Sequence, residues 1–205
     1  MTIPADVTSI ILAGGKNLRL GRIKALERIK GKSLIERVFE KVSILSSRVI
    51  VVMSRETFEI PIPGDVTVVE DIYPERGPLG GIYTGLKASG AESNLVVACD
   101  MPFLNLELLR YLISFAGEYD AVVPRLDKGM IEPLHAVYAK RCLEIIEHRL
   151  GQNKLSVHGF LDNVNVKYIP LEESRRLDPE LLTFFNINYQ SDIDRAVLMA
   201  EEKQA

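Results

Sequence analysis

Short β-rich apolar runs alternate with longer amphipathic stretches along most of the chain, and this alternation limits the folds open to it. Val7–Ala13, Arg48–Met53, Val66–Val69, Leu95–Cys99, Asp120–Val123, Leu134–Tyr138 and Asn165–Ile169 read as strands, and the apolar character of the early ones suits a sheet covered on both faces. A helix opens at Ser33, where Glu36 completes a capping-box pattern and Leu34, Ile35, Val38, Phe39 and Val42 supply one buried face. Further helices are expected over Leu79–Ser89, Leu106–Phe115, Lys140–Leu150 and Lys154–Leu161, with a closing one from Ser191 and a short strand at Phe184–Ile187. Strand and helix in alternation predict an α/β fold on a mostly parallel sheet. Pro61, Pro63 and Gly64 break the chain after the second strand, and Pro124 and Pro133 bracket a hairpin or excursion.

At 205 residues the chain is expected to form one domain, spanning 1–205. Its 25 Lys and Arg against 28 Asp and Glu give a net charge of −3, so no overall positive field favours nucleic acid or an acidic membrane as partner. A small partner is expected instead. Cys99 and Cys142 have no metal-ligand spacing, no signal-peptide order stands near the start, and no apolar run approaches the roughly 20 residues that cross a bilayer. These features predict a cytoplasmic protein with reduced thiols.

The first strand runs into Gly14-Gly15, followed by Lys16, Arg19, Arg22 and Lys24. Paired glycines let backbone approach a ligand, and a cationic loop at the C-terminal edge of a parallel sheet is where phosphates bind in open α/β folds. The familiar phosphate loops do not fit. Gly31-Lys32-Ser33 has the tail of a Walker A motif but Leu26 stands where its first glycine belongs, and no G-x-G-x-x-G follows the first strand.

Leu12-Ala13-Gly14-Gly15 followed by Arg19-Leu20-Gly21 and Lys24 resembles the start of GT-A-like nucleotidyltransferases, in particular the molybdenum cofactor guanylyltransferases. Asp71 with Gly77-Pro78-Leu79-Gly80-Gly81, then Cys99-Asp100-Met101-Pro102, then Asn186-Ile187-Asn188, continue the resemblance in the family's order. It implies a three-layer Rossmann-like fold with helices on both faces of the sheet. It implies transfer of GMP from GTP to the phosphate of molybdopterin with release of pyrophosphate, dependent on Mg²⁺. GTP and molybdopterin are the implied partners, with molybdenum-cofactor delivery proteins or target apoenzymes beyond them.

The resemblance places Leu12, Ala13, Gly14 and Gly15 at the nucleotide, Lys24 at its phosphates, Asp71 at the guanine nucleotide and Asp100 on Mg²⁺. Arg19 is positioned to assist Lys24 in meeting charge on the leaving pyrophosphate. Related cytidylyltransferases begin L-A-A-G, with a methyl group where Leu12-Ala13-Gly14-Gly15 has a bare glycine, which is expected to leave room for a purine. From the residues alone, Asp71 reads equally as a loop cap and Asp100 as a helix N-cap, while Asn186 and Asn188 suit either metal assistance or the end of a strand. Two positions depart from the family: Ser54 stands where an Asn is common, and Leu20 where Met is usual. His135 reads as a hydrogen-bonded structural residue or a group near the pterin. The rivals are a guanylyltransferase with another phosphorylated acceptor, such as adenosylcobinamide phosphate, and a non-catalytic molybdopterin-guanine-binding module.

Overall fold

The structure, a computed structural model, describes residues 6–14, 23–57 and 64–202. Gly15, Arg19, Leu20, Pro61 and Pro63 lie outside them. Strand β1 (Val7–Leu12) is buried along its whole length. A small hairpin follows, β2 (Arg28–Ile29) against β3 (Lys32–Ser33), turning through Lys30 and Gly31, both at positive φ. The Gly31-Lys32-Ser33 triplet thus serves a tight turn of the kind that needs a left-handed backbone. Helix α1 (Leu34–Val42) begins with the expected capping box: the Ser33 N–H donates to Glu36 Oε2 at 2.6 Å, and the Glu36 N–H donates to Ser33 Oγ at 3.3 Å.

The chain continues through β4 (Arg48–Met53), β5 (Thr67–Glu70), α2 (Gly77–Ala88), β6 (Ser93–Ala98), α3 (Leu106–Ile113) and β7 (Ala121–Pro124). It closes with β8 (His135–Ala139), α4 (Leu143–Gly151), α5 (Val157–Leu161), β9 (Val166–Ile169), α6 (Leu171–Leu177) and α7 (Gln190–Glu202). Among the described residues, seven strands form one sheet in the order β5-β4-β1-β6-β8-β7-β9. All neighbours are parallel except β8, which runs antiparallel to both β6 and β7. The proline-bracketed segment is therefore the long connection of an antiparallel pair.

Because successive strand residues face opposite sides, the same strands feed two cores. Ile11, Val51 and Val97 pack with Ile35 and Val38 of α1 and Leu109 and Leu112 of α3. Ile10, Ile50 and Val96 pack on the other side with Leu79, Ile82 and Leu86 of α2, Ile146 of α4 and Phe160 of α5. Helix α2 sits close because its contact stripe lacks side chains: a Cβ on Gly81 would stand 3.3 Å from Leu12, and one on Gly85 2.4 Å from Ile10. No helix among the described residues is long and apolar enough to cross a membrane.

Several local expectations are corrected. Phe184–Ile187 is not a strand; a 3-10 turn at Leu182–Phe184 follows the left-handed Leu181, and the segment is pinned by individual bonds, not by a ladder. Helix α2 starts at Gly77, with Pro78 in its first turn, where proline's missing N–H is harmless. Helix α5 is shorter than expected because Ser156 caps it, its Oγ accepting from the Gly159 N–H at 3.2 Å. Helix α6 was not expected. It follows Pro170 with Glu172 and Glu173 in its first turn and Arg175 and Arg176 in its last, an arrangement that complements the helix dipole.

Candidate active site

Three segments far apart in sequence meet beyond the C-terminal end of β6. Lys24 opens a single 3-10 turn, Lys24–Leu26, and its Nζ lies 2.5 Å from Asp100 Oδ2 and 3.0 Å from Asn188 Oδ1. The side chains of Lys24 and Asp100 are only 18% and 20% exposed, so this charge-assisted contact is little weakened by water. Asp100 Oδ1 is buried and finds no hydrogen-bond partner among the described residues. One oxygen of that carboxylate is thus committed to an ammonium and the other is left for something else.

The alternation in Asn186-Ile187-Asn188 has a physical purpose. Ile187 is fully buried with Ile29, Leu34, Ile193 and Ala196, and its N–H donates to the Asp100 carbonyl at 3.0 Å. With the isoleucine anchored, its two asparagine neighbours flank the point at which the segment meets Asp100. Asp192, in the first turn of α7, accepts from the N–H groups of Asn188 and Tyr189 at 2.8 and 2.9 Å and fixes the segment's exit. Asn186 Nδ2 donates to the Phe184 carbonyl at 3.2 Å.

On the other side of β6, the Cys99 N–H donates to the Leu12 carbonyl and the Ala13 N–H to the Val52 carbonyl, which ties the start of the glycine loop to the sheet edge. Gly14 is exposed, and a Cβ there would be in ordinary contact, 3.4 Å, with the Ser54 nitrogen. Ser54 Oγ lies 3.1 Å from Thr57 Oγ1. Asp71 follows β5, separated from β6 by β4 and β1, and does not join the Lys24 cluster. Its Oδ1 accepts from the Tyr73 N–H at 3.0 Å and from Thr84 Oγ1 at 2.8 Å, so it does cap its loop, with both bonds on one oxygen.

Glu132 was not picked out by sequence reasoning. Because β8 is antiparallel to β6, the residues that precede β8, not those that follow it, lie at the edge where β6 ends. Glu132 Oε1 accepts from the Leu134 N–H at 3.3 Å. Burial is the main cause that pushes its carboxyl up to about 6; the Leu134 N–H works against this, negative Asp100 adds to it, and the Asn186 side chain opposes it. The signal that would have found Glu132 is strand direction, which apolar periodicity does not carry.

His135 is fully buried, its ring edge-on to Phe184 and its Nε2 3.3 Å from Thr183 Oγ1, and burial drives its pKa down to about 3. It braces the segment that carries the asparagines. Cys99 is also buried, and its thiol is pushed up to about 12, chiefly by desolvation. It is a small core residue.

Residues 9–164 match the family described as MobA-like NTP transferase domain. The chain is 37% identical over 199 residues to a protein of Pelotomaculum thermopropionicum named "Probable molybdenum cofactor guanylyltransferase", covering 97% of this chain and 96% of that one. It is 36% identical over 192 residues to the "Molybdenum cofactor guanylyltransferase" of Desulfosudis oleivorans, covering 93% and 94%. Among solved structures, molybdopterin-guanine dinucleotide biosynthesis protein A from Archaeoglobus fulgidus superposes with a TM-score of 0.81 at 31% identity, covering 95% of this chain and 99% of that one. With the family model matched over residues 9–164, relatives more than a third identical over nearly the whole chain and a solved structure of the same fold, the chain belongs to the MobA-like NTP transferase domain family.

Proposed function

We propose that this protein, as a single nucleotidyltransferase domain, transfers GMP from GTP to the phosphate of molybdopterin. The names of its relatives support this reading. The observation that carries it is the Lys24 ammonium held between Asp100 and Asn188 at the mouth of the sheet. An oxygen of the acceptor phosphate forms a bond to the α-phosphorus of GTP while the bond from that phosphorus to the αβ-bridging oxygen breaks. Pyrophosphate leaves with the electron pair. A phosphate monoester is already a competent nucleophile, so the step asks for positioning and charge stabilisation and needs no general base.

Lys24 meets the charge that moves onto pyrophosphate, and Asn188 and Asp100 hold its Nζ in place for that task. Arg19 is assigned a share of the same charge. Leu12, Ala13, Gly14 and Gly15 contact the nucleotide, and Asp71 accepts from guanine with Oδ2, its Oδ1 being bonded to its own loop and to Thr84.

The residues fit a divalent cation, which we assign as Mg²⁺. Asp100 Oδ1 is a buried anionic oxygen without a partner among the described residues, and Asn188 Oδ1, which accepts from Lys24 Nζ, and the Asn186 amide are neutral groups that could assist. Among the described residues no group of three or more His, Cys, Asp or Glu is placed to hold a metal. Mg²⁺ takes one or two carboxylates and fills its remaining positions with phosphate oxygens and water, a demand that Asp100 can meet. When bound, the ion supplies Lewis-acid neutralisation of the triphosphate. The product passes to delivery proteins or target apoenzymes, and the reaction belongs in the cytoplasm with its GTP.

Incubation of the protein with Mg²⁺, GTP and molybdopterin should release pyrophosphate and yield the guanine dinucleotide by mass spectrometry. Absence of both, or efficient transfer to adenosylcobinamide phosphate instead, overturns the assignment. Tight GTP binding without turnover would mark a carrier.

A further inference from the structure

Two carboxylates face this edge of the sheet, and among the described residues one ammonium serves them. Lys24 pairs with Asp100 Oδ2. Among the described residues Asp100 Oδ1 has no partner, and the groups that bond the Glu132 carboxylate, the Leu134 N–H and the Asn186 side chain, are both neutral. Enclosed negative groups in excess of their counter-charges are costly unless a cation joins them. The two residues come from opposite strand directions. Asp100 follows the parallel strand β6, whereas Glu132 precedes the antiparallel strand β8, so the one reversed strand in the sheet delivers a second acid to the end where the first emerges.

A turn cap alone explains Glu132 poorly. The Leu134 N–H would be satisfied equally by a glutamine carbonyl, at no cost in buried charge. We infer that Glu132 is the second carboxylate of the divalent-cation site built on Asp100, so that the two acids hold the ion jointly. This inference rests on the metal-dependent reading of the site given above. Among the described residues Asp100, Glu132 and Lys24 together carry one net negative charge before the triphosphate arrives, which is suited to retaining a divalent cation in the free protein. Asn186, beside Glu132, orients it from the other side.

The test uses Mn²⁺ as the probe, titrated into the full chain and followed by electron paramagnetic resonance, with and without a GTP analogue bearing a methylene αβ bridge. Glu132→Gln keeps the bond from Leu134 and removes only the charge. Its Mn²⁺ affinity should fall about tenfold or more, as for other groups that support a metal, while Glu132→Asp should bind closer to wild type than Glu132→Gln does. Unchanged affinity in Glu132→Gln, or Glu132→Asp binding no better than Glu132→Gln, overturns the inference. In wild-type protein carrying ¹³C-labelled carboxylates, substoichiometric Mn²⁺ should broaden the signals of both Asp100 and Glu132, and a sharp Glu132 signal overturns it without any variant. The readings fail separately: an ion shared by both acids in a protein that transfers no GMP would sink the proposed activity alone. Transfer with Mn²⁺ affinity indifferent to Glu132 would sink this inference alone.

Discussion

Gly85 of α2 lies so close to Ile10 of β1 that a Cβ on the glycine would stand 2.4 Å from Ile10 Cγ2. Ile10 is fully buried in a central strand and β-branched, so it has no free rotamer into which to withdraw. Gly85→Ala gains about 1 kcal/mol of helix propensity but incurs overpacking of roughly 1–3 kcal/mol. The expected result is net destabilisation, read as a lowered melting midpoint. Gly81→Ala is the control. Its nearest neighbours are the terminal methyls of Leu12 at 3.3 and 3.4 Å, which can shift, so its stability should stay close to wild type.

Removing the ammonium at the sheet edge should act on chemistry more than on binding. Lys24→Ala is expected to lower kcat about 100-fold or more, the usual scale for losing one aligned donor to developing charge. Asp100→Ala should do the same in a folded protein. Since Lys24 and Asp100 touch, the double variant should lose much less than the product of the two single losses. Steady-state kinetics of pyrophosphate release checks both. A raised KM for GTP with kcat unchanged in Lys24→Ala would reduce its role to uniform binding.

On the proposed reading, a purine preference depends on how Asp71 is held. GTP should be used in preference to CTP and ATP when all three compete at equal concentration, and Asp71→Ala should erode that preference. Thr84 donates to Asp71 Oδ1 and accepts from the Ile72 N–H. Thr84→Val therefore frees the carboxylate to rotate and should raise KM for GTP about fivefold, from a loss of roughly 1 kcal/mol. An unchanged nucleotide profile in both variants would move guanine recognition elsewhere.

Acid should weaken the fold through His135. Its pKa is about 3 when folded and buried, against an ordinary value of 6.5, so the unfolded chain takes up a proton first as pH falls. The neutral-histidine stability is complete above pH 6.5 and is lost at up to about 1.4 kcal/mol per pH unit from there toward pH 3. Denaturant titrations across that window should show a shallower slope for His135→Gln, which keeps a partner for Thr183. Parallel pH profiles would show that His135 is not responsible.

Where the sequence carried local chemistry, the structure agrees with it. The Ser33 and Glu36 capping box, the apolar face of α1 and the buried strands β1, β4 and β6 are legible because caps and periodicity are local properties. Phe184–Ile187 misled because Ile187 is buried under α7 and Phe184 lies against His135, so an alternating pattern arises from tertiary packing without a strand. Helix α6 escaped notice because its signals are Pro170 and charge placement, not an apolar stripe. At the site, Lys24, Asp100 and Asn188 were each singled out, but their meeting across 76 and 164 residues follows from topology. Glu132 was invisible for the same reason.

The reversed strand β8 also divides the molecule's capacity to change. Strands β1, β4 and β5 end on one flank of the active edge, and the connection from Pro124 to His135 forms the other. That connection enters from an antiparallel pair whose register is fixed deeper in the sheet, at Ala121 against Tyr138 and Val122 against Val137. Residues added or removed between Arg125 and Ile131 leave this register and the strands of the opposite flank untouched. Change in that connection can therefore reshape one flank of the edge while the parallel strands of the other keep their pairing.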